Sequence, residues 1–162
     1  QLDGLSLSYP GNWKASSESE EVEGITVTTA TFESSGNAMV MLQQFTPAVP
    51  LNLLDLADEY ATSIQQSASS ELGGIAKVDV GASTEVRREV LGASREGTQT
   101  KLSISVLGEA VPHTLDIVSA ELDDRAVVFL FQVADEDRAT SKPAFDLILD
   151  SAQLDTDDAP SP

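Results

Sequence analysis

Apolar and polar residues alternate at Leu5, Leu7 and Tyr9, a period of two that predicts a half-buried strand. "YPGN" follows, with Pro10 suited to a turn and Gly11 placed where a type II turn needs positive φ. The opening stretch therefore reads as a hairpin corner. Beyond it, Trp13 is expected to close the end of the core, beside Tyr9 or a closing helix. Ile25 to Phe32 and Ala38 to Phe45 read as an antiparallel pair joined by the polar, Gly-containing "ESSGN". In the second of these, Val40 and Leu42 face one way while Met39, Met41 and Phe45 face the other. Both faces then need cover, so the strand should be central, with both methionines as packing.

After "TPAVPLN" the period changes. Leu53, Leu56, Ala57, Tyr60, Ala61, Ile64 and Ala68 recur at helical spacing, with Asn52 as the N-cap and Asp55 near the positive helix start. Gly73 and Gly74 are expected to stop this helix. "TEVRREVL", "TKLSISVL", "HTLDIVSAEL" and "RAVVFLFQV" read as a second set of strands, linked by "GASREG", "GEAVP" and "DD". Such short links favour antiparallel neighbours. "SKPAFDLILDSAQL" predicts a closing helix with Ser141 at its cap and Pro143 in its first turn. The order strands, helix, strands, helix is α+β: a mostly antiparallel sheet with helices on both faces. Residues 1–154 form one domain on this reading, and 155–162 a mobile acidic, Pro-bearing tail.

Composition changes the picture through charge. The chain carries 9 Lys and Arg against 27 Asp and Glu, a net −18, which excludes phosphate-backbone binding and attraction to anionic membrane surfaces. The imbalance is local as well, since no Lys or Arg occurs from Ala15 to Ala76. An acidic docking patch drawn from Glu18, Glu20, Glu21, Asp58 and Glu59 is the functional expectation, with another protein bearing a basic surface as partner. The competing account is solubility. No run approaches the ~18 apolar residues of a membrane span.

Catalytic chemistry finds little support. There is no cysteine and a single histidine, His113, at an expected strand start, and no G-x-S-x-G elbow precedes a helix. A hydrolase using His113 with a serine is the minor alternative. The acidic runs "ESEEVE", "DED" and "DTDD" match no calcium loop and read as solvated charge, with weak Ca²⁺ binding as the alternative; no metal site or cofactor is expected.

The strand running into "SYPGNWK", the meander, the helix after a Pro-bearing link, the long antiparallel run and the ending "FDLILDSAQL" together resemble the PsbP-like and Mog-like superfamily, from Leu5 to Leu154. Relatives in that superfamily include the extrinsic oxygen-evolving protein of photosystem II, a nuclear-import factor that binds the GTPase Ran, bacterial envelope lipoproteins and chaperones for secreted effectors. The resemblance implies an αβα sandwich that acts by binding proteins, not as an enzyme. The start at Gln1, without Met, fits a boundary behind a removed targeting segment or lipid anchor. A non-enzymatic binding or adaptor domain of the bacterial envelope is thus expected, secreted or lipid-anchored. An intracellular chaperone or GTPase-associated adaptor of the same fold is the alternative.

Overall fold

Strand β8 (Ala126–Ala134) is buried at every position except Gln132, because a strand apolar on both sides can lie only where both sides are covered. In a computed structural model that describes residues 2, 4–36, 38–71 and 76–155, it sits between β4 (Ala38–Thr46) and β7 (Glu109–Glu121). The sheet continues outward through β3 (Ile25–Glu33) to the edge strand β2 (Lys14–Val22) on one side. On the other it continues through β6 (Ala93–Val106) to the edge strand β5 (Ala76–Val90). All seven strands pair antiparallel. The fold is α+β, as read from the sequence, and β4 is central.

Three hairpins close on turns whose two central residues both have positive φ: Glu23 and Gly24, Leu91 and Gly92, Leu107 and Gly108. This is the geometry that matches strand twist. The linkers expected at "GASREG" and "GEAVP" are corrected accordingly: residues 93–97 belong to β6 and 109–112 to β7. The turns are instead the Leu-Gly pairs just before each. Pro112 is accommodated within β7 because pairing with β8 runs only from His113 to Glu121, leaving its nitrogen side free of ladder demands.

The opening hairpin is also corrected. β1 is only Leu5–Ser6 and pairs with β9 (Gln153–Leu154) near the chain's other end, as a separate two-stranded sheet. Pro10 to Trp13 do form a turn, the Trp13 N–H donating to the Pro10 carbonyl at 2.9 Å, but Gly11 has no positive φ, so it is not type II. Trp13 is half-buried, edge-on to Phe145 with ring centroids 6.2 Å apart, while Tyr9 lies against Phe32.

Helix α1 (Leu53–Glu71) is capped by Asn52, whose Oδ1 accepts from the N–H groups of Leu54 at 3.0 Å and Asp55 at 3.4 Å. Helix α2 (Arg138–Ser151) follows a 3-10 turn, Asp135–Asp137, directly off β8. It starts ahead of the expected cap, so Ser141 and Pro143 lie inside it. The early start is possible because Pro143 forfeits only one backbone bond, to Ala139, near the exposed helix start.

Alternate residues of β8 feed two apolar clusters. Val127, Phe129 and Phe131 pack with Val40 and Leu42 and with Phe145, Ile148 and Leu149 of α2. Val128 and Leu130 pack with Leu102, Leu115 and Ile117 and with Ala57 and Ala61 of α1, whose small side chains permit close approach. Leu53, Leu56, Tyr60 and Ile64 pack around that second cluster, and Asp58, Glu59 and Gln66 are exposed, as the helical spacing predicts. Gly73, Gly74 and residues 156–162 lie outside the described residues. Asp155 is tied in, its N–H donating to the Gly4 carbonyl at 2.9 Å.

Candidate functional site

Helix α1 packs on β5, β6 and β7, so part of its side of the sheet stays uncovered. On the α1 side the open part lies over β2, β3 and β4. Burial shows it: in β4, Ala38, Val40, Leu42 and Gln44 are buried toward α2, whereas Met39, Met41, Gln43 and Phe45 are half-buried. Register extends that second row outward. Met41 pairs with Thr31 and then Ser16; Gln43 pairs with Thr29 and then Glu18; Phe45 pairs with Val27 and then Glu20. Glu18 and Glu20 therefore share one side with the methionines, two strand spacings or about 10 Å from β4.

Helix α1 supplies the opposite wall. A groove of about 220 Å³ runs between Met41 and Gln43 of β4 and Leu56, Glu59, Tyr60 and Ser63 of α1. Tyr60 is fixed there by its hydroxyl, which donates to Gln132 Oε1 at 2.7 Å and lies 4.0 Å from Met39 Sδ. Burial raises the Tyr60 phenol well above its ordinary pKa, and the negative charge of Glu33 raises it further. Glu33, paired with Met39 across the β3–β4 ladder, is thus a fourth carboxylate at the same shelf.

Of the residues expected to form an acidic patch, Glu59 lines this groove, and Glu18 and Glu20 share its side of the sheet on the edge strand. Glu21 does not: one residue along a strand reverses side-chain direction, so it points to the α2 side. Asp58 is also turned away, since one helical residue is about 100° of rotation. It sits toward the side of α1 where Gln65 Oε1 accepts from the β5 N–H of Val78. Glu33, Met39 and Met41 were missed as site residues. The signal for them was the strand parity, which places all three on the side of Glu18.

His113 is buried within β7, not at a strand start, with Nδ1 3.0 Å from the carbonyl oxygen of Val111. Among the described residues no cluster of His, Asp and Glu has the arrangement of a metal site. No helix of the described residues is long and apolar enough to cross a membrane.

No family model and no curated protein matches the chain. Solved structures do. Cyanobacterial PsbP (CyanoP) from Synechocystis sp. PCC 6803 superposes with a TM-score of 0.51 at 14% identity, over 94% of this chain and 87% of that one. The fold is PsbP-like. LpqN, involved in cell envelope biogenesis of Mycobacterium tuberculosis, aligns with a TM-score of 0.42 at 12% identity over 93% and 83% of the two chains.

Proposed function

We propose that this chain is a non-enzymatic protein-binding domain of the bacterial envelope, layered helix on sheet on helix in the PsbP/Mog-like manner, and that it docks a basic segment of a partner on the shelf beside α1. The observation that carries the reading is the pairing of a half-exposed methionine floor with an acidic rim. Met39 and Met41 offer a polarizable, adaptable surface. Glu18, Glu20, Glu33 and Glu59 set its sign. Lys14, paired with Glu33 at one end of β2, is the one cation in the adjoining register.

Edge strand β2 is exposed along all nine residues. Its charges discourage a second copy from pairing there, because antiparallel copies would bring glutamates together. A basic partner meets no such penalty. The envelope location rests on the sequence resemblance and is in keeping with the PsbP-like fold.

In-cell crosslinking of the native protein, followed by identification of the captured chain, tests the reading. A captured envelope protein with a Lys- or Arg-rich segment crosslinked beside Met41 or Glu59 is the expected result. Capture confined to cytoplasmic proteins, or crosslinks confined to the α2 side, would overturn it.

A further inference from the structure

The α2 side differs from the shelf in the sign of its charge. A cleft of about 570 Å³ opens there between α2 and the sheet, lined by Arg88 of β5, Thr114 and Asp116 of β7, and Phe131 and Val133 of β8. Its inner wall is apolar, made by Phe131, Val133, Phe145 and Leu149. Its rim is ionic. Arg88, Arg138 and Lys142 line it, and Lys101 stands behind Thr114 and Asp135, so four of the chain's nine cations gather here against three carboxylates, Asp116, Asp135 and Asp146. In a chain of net charge −18 this is a local reversal of sign.

The pairing around the rim is complete except at one residue. Asp116 accepts from Arg88 Nη2 at 3.1 Å on one oxygen and from Gln99 Nε2 at 2.7 Å on the other. Asp135 is held by the Thr114 hydroxyl and by Lys101 Nζ at 3.0 Å, and Lys142 pairs with Asp146 one turn along α2. The Thr114 bond, assisted by Lys101, keeps the Asp135 carboxyl below its usual pKa range against the opposing effect of burial. The Arg138 charge also favours ionised Asp135, but its one ion pair among the described residues is a 3.9 Å approach to an Asp116 oxygen that Arg88 already uses. That is beyond hydrogen-bond distance. A guanidinium presents five donors in a fork matched to carboxylates. Moreover, Arg138 is the first residue of α2, where the helix dipole disfavours a cation and favours an anion.

We propose that this cleft binds a small amphipathic carboxylate, its charged group on the Arg138 guanidinium and its hydrocarbon body against Phe131, Phe145 and Leu149. The volume falls within the range of small-ligand pockets, and an apolar wall with a few convergent polar groups is their usual make-up. Two sources share that chemistry: a free fatty or aromatic acid, and the C-terminus of a peptide ending in an apolar residue.

Calorimetric titration of the intact protein with decanoate, and with a tripeptide ending in phenylalanine as free acid or amide, tests the proposal. One of the two acids is expected to bind, the tighter one identifying the source, whereas the peptide amide and decyltrimethylammonium are expected to bind at least ~10-fold more weakly. Arg138→Gln should weaken the acid by a similar factor while Lys77→Gln leaves it unchanged. Ala139→Trp, at an exposed position lining the cleft, should block binding with Arg138 intact. Failure of both acids to bind, equal binding of the ammonium, or undiminished binding to folded Arg138→Gln would overturn the proposal.

Discussion

The Tyr60 hydroxyl donates to Gln132 Oε1 at 2.7 Å, joining α1 to the one half-buried position of the central strand. The bond explains why a polar residue is tolerated in β8 and helps fix the helix register: the amide oxygen needs a donor, and among the described residues of α1 Tyr60 supplies it. Tyr60→Phe leaves that oxygen without its donor and should cost about 1–2 kcal/mol in urea unfolding.

A pH dependence follows from the same burial. The phenol's folded pKa is raised, so its contribution to stability is complete below the unfolded value near 10 and is lost as pH rises toward the folded value. Above pH 10 the wild type should lose stability at up to about 1.4 kcal/mol per pH unit more steeply than Tyr60→Phe. Parallel curves for the two proteins would contradict the burial of this hydroxyl.

Trp13 presents its ring edge-on to Phe145 at 87° and is only half-buried. Trp13→Ala should therefore cost about 1.5–3 kcal/mol, less than a ring enclosed on all sides. An unchanged unfolding midpoint would show that the ring does not close this end of the core.

Leu107 takes φ of 54° at a hairpin turn with its side chain 77% exposed. A leucine there bears left-handed strain and gains little from packing. Leu107→Asn, which suits this turn, should stabilise by up to about 1 kcal/mol, read as a raised midpoint in thermal unfolding.

How much was legible depended on whether the pattern was local. Alternation in Val127 to Val133 and in Met39 to Phe45 identified central strands because each residue's partner face is written into its own neighbours. Leu5 carried the same alternation but pairs with Leu154, a contact that no local pattern encodes. The Leu-Gly turns were missed because leucine is a poor signal for positive φ, and the strands rather than the turn residue impose it.

Charge was legible as an amount but not as a place. Glu20 and Glu21 are equivalent in composition and opposite in direction, and Glu59 and Asp58, both carboxylates, stand about 100° apart around α1. The missing ingredient was parity combined with strand order. Glu33 joins the site only because β3 and β4 pair it with Met39.

This separation allows the docking account to be tested at constant net charge. Glu18→Lys with Glu59→Lys alters the shelf, whereas Glu21→Lys with Asp58→Lys makes the same change in charge away from it. The measurement is the stopped-flow association rate of the crosslinked partner with each double variant and the wild type, as the Debye length falls from ~10 to ~3 Å. Docking on the shelf predicts that salt slows the wild type and the Glu21/Asp58 variant alike, while the Glu18/Glu59 variant associates slowly at low salt and responds weakly. Equal rates for the two variants at every salt concentration would contradict it.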